Sequence, residues 1–351
     1  MNKKRTLVTV IVLAVLCLLI YLQVHAWKKF DWATFWSNTS HVNWAFALFS
    51  VAIVYFTYVL RAMRWRIFLQ PLCATATTAS LISPQFIGFT GVALLGRPGE
   101  MIRPYLIARK EKVTFSSQIA VWLVERIFDM GSVAIMFVVV GFIGDPFWST
   151  LANHKLAAEV RWSAAVFLCG ILVLASIAVV LRRSGYAVAD YLEKQLEGRS
   201  HKFATGIHAK IVAFTDGLQI ISNVSSFVQL LGLSLLMWIL IAFAYWLLTH
   251  AYGGELAHLG AASIMLLMVS AMFGSMIQLP GVGGGSQLAT IAVLNKIFGV
   301  DNEIAVSCGM LIWVCTFMSV IPMGLLLAHR ERLSLRAVAK AEEKAEAALA
   351  E

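Results

Sequence analysis

The feature that most constrains this sequence is a recurring one. Runs of about 20 mostly apolar residues, long enough at 1.5 Å per residue to cross a hydrocarbon core about 30 Å thick, return along the whole chain. They lie at roughly 5–24, 43–63, 116–143, 161–181, 225–249 and 304–328. Composition agrees, since only 13% of the 351 residues are charged against roughly 25% in soluble domains. The pattern predicts an all-α, polytopic helical membrane protein with six full spans. The net charge of +9 then belongs to cytoplasmic loops and anionic headgroups. Nucleic-acid binding is a poor reading, because the basic residues are dispersed and not gathered with aromatics on a soluble module.

The N-terminal stretch "MNKKRTLVTVIVLAVLCLLIYLQVHAW" also has the form of a signal peptide. Its apolar run of about 17 residues exceeds a usual signal core, which favours a retained first helix. Two further apolar regions are irregular. One, at 73–96, is rich in Ala, Thr, Ser and Gly; the other, at 261–299, is broken by "LPGVGGGSQ". Each fits a normal span, a re-entrant hairpin or a pair of half-helices. Charge separates these options. Lys3, Lys4 and Arg5 place the N-terminus inside; Arg61, Arg64 and Arg66 mark the return of the second helix; Arg97, Arg103, Arg109, Lys110 and Lys112 then sit inside again. Region 73–96 therefore starts and ends on the cytoplasmic face. The basic run "HRERLSLR" at 329–336 puts the last helix end inside, so region 261–299 starts and ends outside. Two Gly/Pro-broken re-entrant regions of opposite orientation are expected, making about eight segments. Broken helices at matching places point to a binding site near the midplane. The domain organisation expected is one integral membrane domain over 1–328, with an amphipathic cytoplasmic stretch at 182–224 and a helical tail at 329–351. Both termini are placed in the cytoplasm.

Three polar groups could carry chemistry. In "GRPGEMIR", Glu100 and Arg103 are spaced to share a helix face, Pro98 suits a first turn, and Gly96 and Gly99 permit close approach. A helix beginning there aims N–H groups and Arg97 at an anion, and an Arg fork suits phosphate. A basic loop obeying the topology rule explains the arginines equally well, but not Glu100. In "VERIFD", Glu125 falls about 15 Å into its helix. Arg126 and Asp129 can pair there, while Glu125 and Asp129 repel unless a cation intervenes. Charges at that depth default to function; a later helix start would leave Glu125 and Arg126 at the interface. In "QLPGVGGGSQ", Pro280, Gly281 and Gly284 make an open backbone loop, and Ser286 and Gln287 could start a helix facing a headgroup. A tight crossing of small residues is the plainer explanation. Several tryptophans, Trp27, Trp32, Trp36, Trp65, Trp148 and Trp162, read as an interfacial belt. The five cysteines and eight histidines show no zinc or other metal-ligand spacing. No catalytic residue set, metal or cofactor is expected.

Together, "GRPGEMIRPYLIARK", "AVWLVERIFD" and "LPGVGGG" make the chain resemble the lysylphosphatidylglycerol synthase transmembrane, or flippase-like, family, over about 40–328. The resemblance includes the flippase half of the multiple peptide resistance factor. It implies an eight-segment bacterial inner-membrane domain that moves a phospholipid or polyprenyl-linked lipid between leaflets. It carries substrate-binding roles to Arg97, Gly99, Glu100, Arg103, Glu125, Arg126, Asp129, Pro280, Gly281 and Gly284. Relatives usually end the third motif on Glu, where this chain has Gln287. The expected partner is a lipid with a phosphate-containing headgroup, with the protein acting as a homo-oligomer or beside a lipid-modifying enzyme. Alternatives are a membrane-embedded transferase and a non-transporting scaffold. No donor-binding motif and no soluble aminoacyltransferase domain is visible, so enzyme activity is the weaker expectation.

Overall fold

A computed structural model describes residues 31–143, 183–195 and 224–331, except 277 and 280–282, together with 169, 173, 176, 206, 208, 211, 212 and 215. The expected spans at 5–24 and, for the most part, 161–181 lie outside the described residues, as do most of the tail and of 182–224; the part of the latter at 183–195 is helical.

The described chain is helical apart from one two-residue antiparallel pair. A short helix, α1 (Trp32–Ser40), starts on Asp31, whose carboxylate accepts from Thr34 Oγ1 at 2.6 Å, Thr34 N at 3.1 Å and Ala33 N at 2.9 Å. These bonds, the Thr34 hydroxyl first, hold the Asp31 carboxyl below its ordinary range. Next comes α2 (Trp44–Leu69), capped by Asn43 Oδ1 accepting from Ala45 N at 3.1 Å.

The chain then makes its first helical hairpin. Thr77 caps α3 (Thr78–Leu95), about 27 Å long at 1.5 Å per residue. Gly96, at φ 77°, ends it in the left-handed region that glycine alone enters freely. A 3₁₀ turn at Arg97–Met101 leads into α4 (Ile102–Glu111), which runs back along α3. Gly91 and Gly99 let the two arms touch near the tip: a Cβ on Gly99 would overlap the Gly91 carbonyl. At the open end, Ser80 Oγ donates to Glu111 Oε1 at 2.6 Å. Residues 97–111 therefore form the returning arm, with "GRPGE" at the tip and Arg103 buried against α3.

After α5 (Phe115–Ile143) and α6 (Val224–His250), the chain makes a second hairpin. Its outgoing arm is α7 (Ala261–Gly274). Gln278–Leu279 pairs with Gly283–Gly284 at the tip, and α8 (Gly285–Ala292) returns into a π turn at Val293–Ile297. Gly274 and Gly285 press together here as Gly91 and Gly99 do in the first hairpin. The last rod is α9 (Asn302–Trp313), a π turn at Val314–Met318, and α10 (Val320–Arg330).

The same order, helix–hairpin–helix, thus occurs twice. The two units are opposed. Asn43 N, at the start of α2, donates to Ala251 O, just past the end of α6, at 2.9 Å, so α2 and α6 are antiparallel. Lys110, at the base of the first hairpin, pairs with Glu331 at the end of α10 at 2.7 Å. The start of α9 packs instead near α1, where Thr39 Oγ1 meets Ser307 Oγ at 2.8 Å. The hairpins consequently enter the bundle from opposite ends. Among the described residues, Trp44–Leu69, Thr78–Leu95, Val224–His250 and Asn302–Arg330 are long and apolar enough to cross a membrane. The helix expected at 43–63 runs on to Leu69, which carries Arg61 and Arg64 inside it.

Candidate functional site

Small residues on α3 decide where the charges go. Gly88 has no side chain, so Arg103 of the returning arm packs directly on it. From there the Arg103 fork reaches across to α5. Its Nη1 donates to Glu125 Oε1 at 3.1 Å and to Gln85 Oε1 at 3.1 Å, and its Nη2 donates to Glu125 Oε2. The guanidinium lies 4.5 Å over the Trp65 ring and 5.1 Å from that of Phe89, a stacking that suits its planar charge.

On α5, Glu125 and Asp129 share a face one turn apart, and the cation they require comes from α2. Arg64 donates from Nη2 to Glu125 Oε1 at 2.5 Å and from Nη1 to Asp129 Oδ1 at 2.6 Å. It also donates to Ser234 Oγ on α6 at 2.9 Å. Trp238 Nε1 donates to Asp129 Oδ1 at 3.2 Å. Arg126 Nη2 is 3.3 Å from Asp129 Oδ2 and 3.4 Å from Glu125 Oε2. Arg61 stands apart: its Nη1 is 3.9 Å from both Glu125 Oε1 and Asp129 Oδ2, beyond hydrogen-bond reach. Its Nε and Nη1 are buried without a hydrogen-bond partner.

Arg103 thus pairs with Glu125 and not with Glu100, its neighbour by spacing. Glu100 lines a cavity of about 130 Å³ with Arg103, Arg126, Trp122 and Gly88, and its charge acts on Arg126. A larger cavity of about 220 Å³ is lined by Arg61, Arg126, Trp238, Ser286, Gln287 and Thr316, among others. Phe89, Arg126, Ser275 and Phe317 border both spaces. The flank of the first hairpin and the tip of the second therefore meet at one polar region. Gln287 Oε1 accepts from Gly284 N at 3.1 Å, which ties down the start of α8. Gly99 lies in the closed tip of the first hairpin. Pro280, Gly281 and the side chain of Arg97 lie outside the described residues.

Sequence reading missed Arg61 and Arg64. They were taken as topology markers of a helix ending at 63, yet they are 7% and 1% exposed, and only Arg66 of that run is exposed. The available signal was the apolar "IFL" at 67–69 beyond them, which carries the helix on until Gln70 and Pro71 end it. Trp65 is likewise not an interfacial anchor. It is 0% exposed, and its Nε1 donates to Gln118 Oε1 at 2.9 Å. Trp65→Phe leaves the buried Gln118 oxygen unfilled and gives Arg103 a smaller ring face. A loss of about 1–3 kcal/mol is expected, read as a lower melting temperature of the purified protein. Elsewhere, Asp190, Glu193 and His208 come within 4.8 Å of one another; His208 Nε2 is 3.0 Å from Asp190 Oδ1. Spacing along the chain hid this group. Asp190 is exposed, Glu193 and His208 are half-buried, and His208 partners both acids.

An all-α bundle of long apolar helices, with two opposed hairpins flanking a cleft that holds Arg61 and Arg126, defines an integral membrane protein. Residues 7–324 match the family described as the lysylphosphatidylglycerol synthase TM region, and the chain belongs to that family. That membership makes it a membrane domain related to lipid handling. No curated protein and no solved structure matches it significantly.

Proposed function

We propose that the protein carries a phosphate-bearing lipid between the leaflets of a bacterial inner membrane. The headgroup passes through the cavity between the hairpins while the acyl chains stay in the bilayer. On this reading both hairpins dip into the membrane from opposite faces without crossing it, and both termini are cytoplasmic. The supporting observation is a pair of adjoining cavities, bordered in common by Phe89, Arg126, Ser275 and Phe317, which set Arg61, Glu100, Arg103, Arg126, Ser286 and Gln287 among largely apolar walls. Charges at that depth are expensive unless they serve a path or a ligand, and broken backbone is tolerated where it lines a cavity. Glu125, Asp129 and Arg64 hold the floor of the site; Arg61 and Arg126 face the headgroup.

Purified protein in vesicles with fluorescent phosphatidylglycerol tests this. Label in the inner leaflet is expected to become accessible to an external quencher faster than in protein-free vesicles; equal rates would overturn the proposal. The family description, which joins this region to a synthase, favours a second reading. There the protein binds lipid for a separate lipid-modifying enzyme. In that case lipid co-purifies but does not change leaflets in the isolated protein.

A further inference from the structure

We infer that the larger cavity selects a headgroup of net negative charge, gripped by Arg61, and refuses one that carries an added ammonium group. The inference rests on the lipid-carrier reading above and names its substrate class.

Charge is the first ground. Arg61 and Arg126 line the larger cavity, and no carboxylate does so among the described residues. Of the acids nearby, Glu125 and Asp129 are engaged by Arg64 and, for Glu125, by Arg103 as well. Glu100 lines only the smaller cavity, which it shares with Arg103 and Arg126. Among the described side chains of the region, four guanidiniums face three carboxylates. A buried surplus of this sign stands until an anion neutralises it.

Donor geometry is the second ground. Arg64 and Arg103 spend their forks on carboxylates. Arg61 does not. It is 7% exposed, lies 4.8 Å over the Phe89 ring, and keeps Nε and Nη1 without acceptors. Buried donors left unfilled are costly, and two oxygens of one phosphate match an arginine fork.

The opposite wall is the third ground. Helix α8 begins there, with Ser286 and Gln287 on the cavity, so the positive end of its dipole lies on this wall. The side chain at its third position is a neutral amide committed to Gly284 N. An ammonium entering this space would meet two guanidiniums, a helix start and, among the described residues that line it, no carboxylate.

The test uses the full-length protein in detergent. It is titrated with short-chain phosphatidylglycerol, phosphatidylethanolamine and lysyl-phosphatidylglycerol, and with free glycerol phosphate. Phosphatidylglycerol is expected to bind tightest and the lysyl form weakest. Arg61→Gln should weaken phosphatidylglycerol binding about tenfold, or about 1.4 kcal/mol, and erase its lead over phosphatidylethanolamine. Arg61→Lys should keep part of that lead. Lysyl-phosphatidylglycerol binding as well as the unmodified lipid overturns the inference and leaves the carrier reading standing. So does unchanged phosphatidylglycerol binding in a folded Arg61→Gln protein. If that variant does not fold, the ranking of the lipids on the unaltered protein decides. Free glycerol phosphate binding as tightly as its lipid supports the charge selection and sinks the carrier reading. No binding of any ligand overturns both.

Discussion

Glu125→Ala should leave little folded protein. The Glu125 side chain is fully buried and takes hydrogen bonds from Arg64, Arg103 and Arg126, with Arg61 at 3.9 Å. Removing it strands these cations around one remaining buried acid, Asp129. Breaking a buried ion pair from one side costs about 3–5 kcal/mol, and here one carboxylate serves several partners. The expected result is loss of the monodisperse species in detergent, or a large fall in melting temperature. Replacing both members, Glu125→Gln with Arg64→Gln, should recover part of the loss, because fewer charges are left unpaired. An unchanged melting temperature in the single variant would mean that this carboxylate does not organise the site.

The next largest effect is expected at Gly274. A methyl group there would collide with the Gly285 carbonyl and come 2.8 Å from Ala289 Cβ. The first obstacle is backbone, so it cannot swing aside as a long side chain would. Overpacking costs typically about 1–3 kcal/mol, and Gly274→Ala belongs at the upper end or beyond. The second hairpin must splay, which displaces Ser275 and Ser286 from the cavity wall. Gly232→Ala is the control, since a Cβ there meets nothing within 4 Å. If both variants melt alike and move lipid alike, the glycine contact does not set the hairpin.

Much of this arrangement was legible in the sequence. The helix positions at 116–143, 225–249 and 304–328 agree with the structure to within a few residues, because long apolar runs leave few alternatives. Glu125 and Asp129 stood out for the same reason, being charges where charge is costly. What stayed hidden was pairing. A topology rule counts each arginine as a marker of water, and it cannot separate exposed Arg66 from Arg64 and Arg61, two and five residues earlier. Their burial depends on α5 and α6 standing opposite, which is information from other parts of the chain. Spacing also suggested that Glu100 would meet Arg103. A 3₁₀ turn and the bare surface at Gly88 send Arg103 elsewhere instead.

The final rod of the bundle has a mechanical consequence. Its first half, α9, lies against α8 of the second hairpin, and its second half, α10, lies against α3 of the first. Gly324 of α10 sits on Thr90 and Phe86 without a side chain between them. Between the halves is the π turn at Val314–Met318, where Ser319 N reaches back five residues to Val314 O at 2.8 Å. Such widened turns are rare single-turn interruptions of a helix, frequent at functional sites. Tyr55 Oη on α2 donates to Ser319 O at 2.6 Å at this same place. The rod is therefore jointed where it borders the cavity through Thr316 and Phe317, with each hairpin bolted to a different side of the joint. Along the rod, a tilt of either hairpin is thus transmitted to the other only through this turn, which carries Thr316 and Phe317 on the cavity wall.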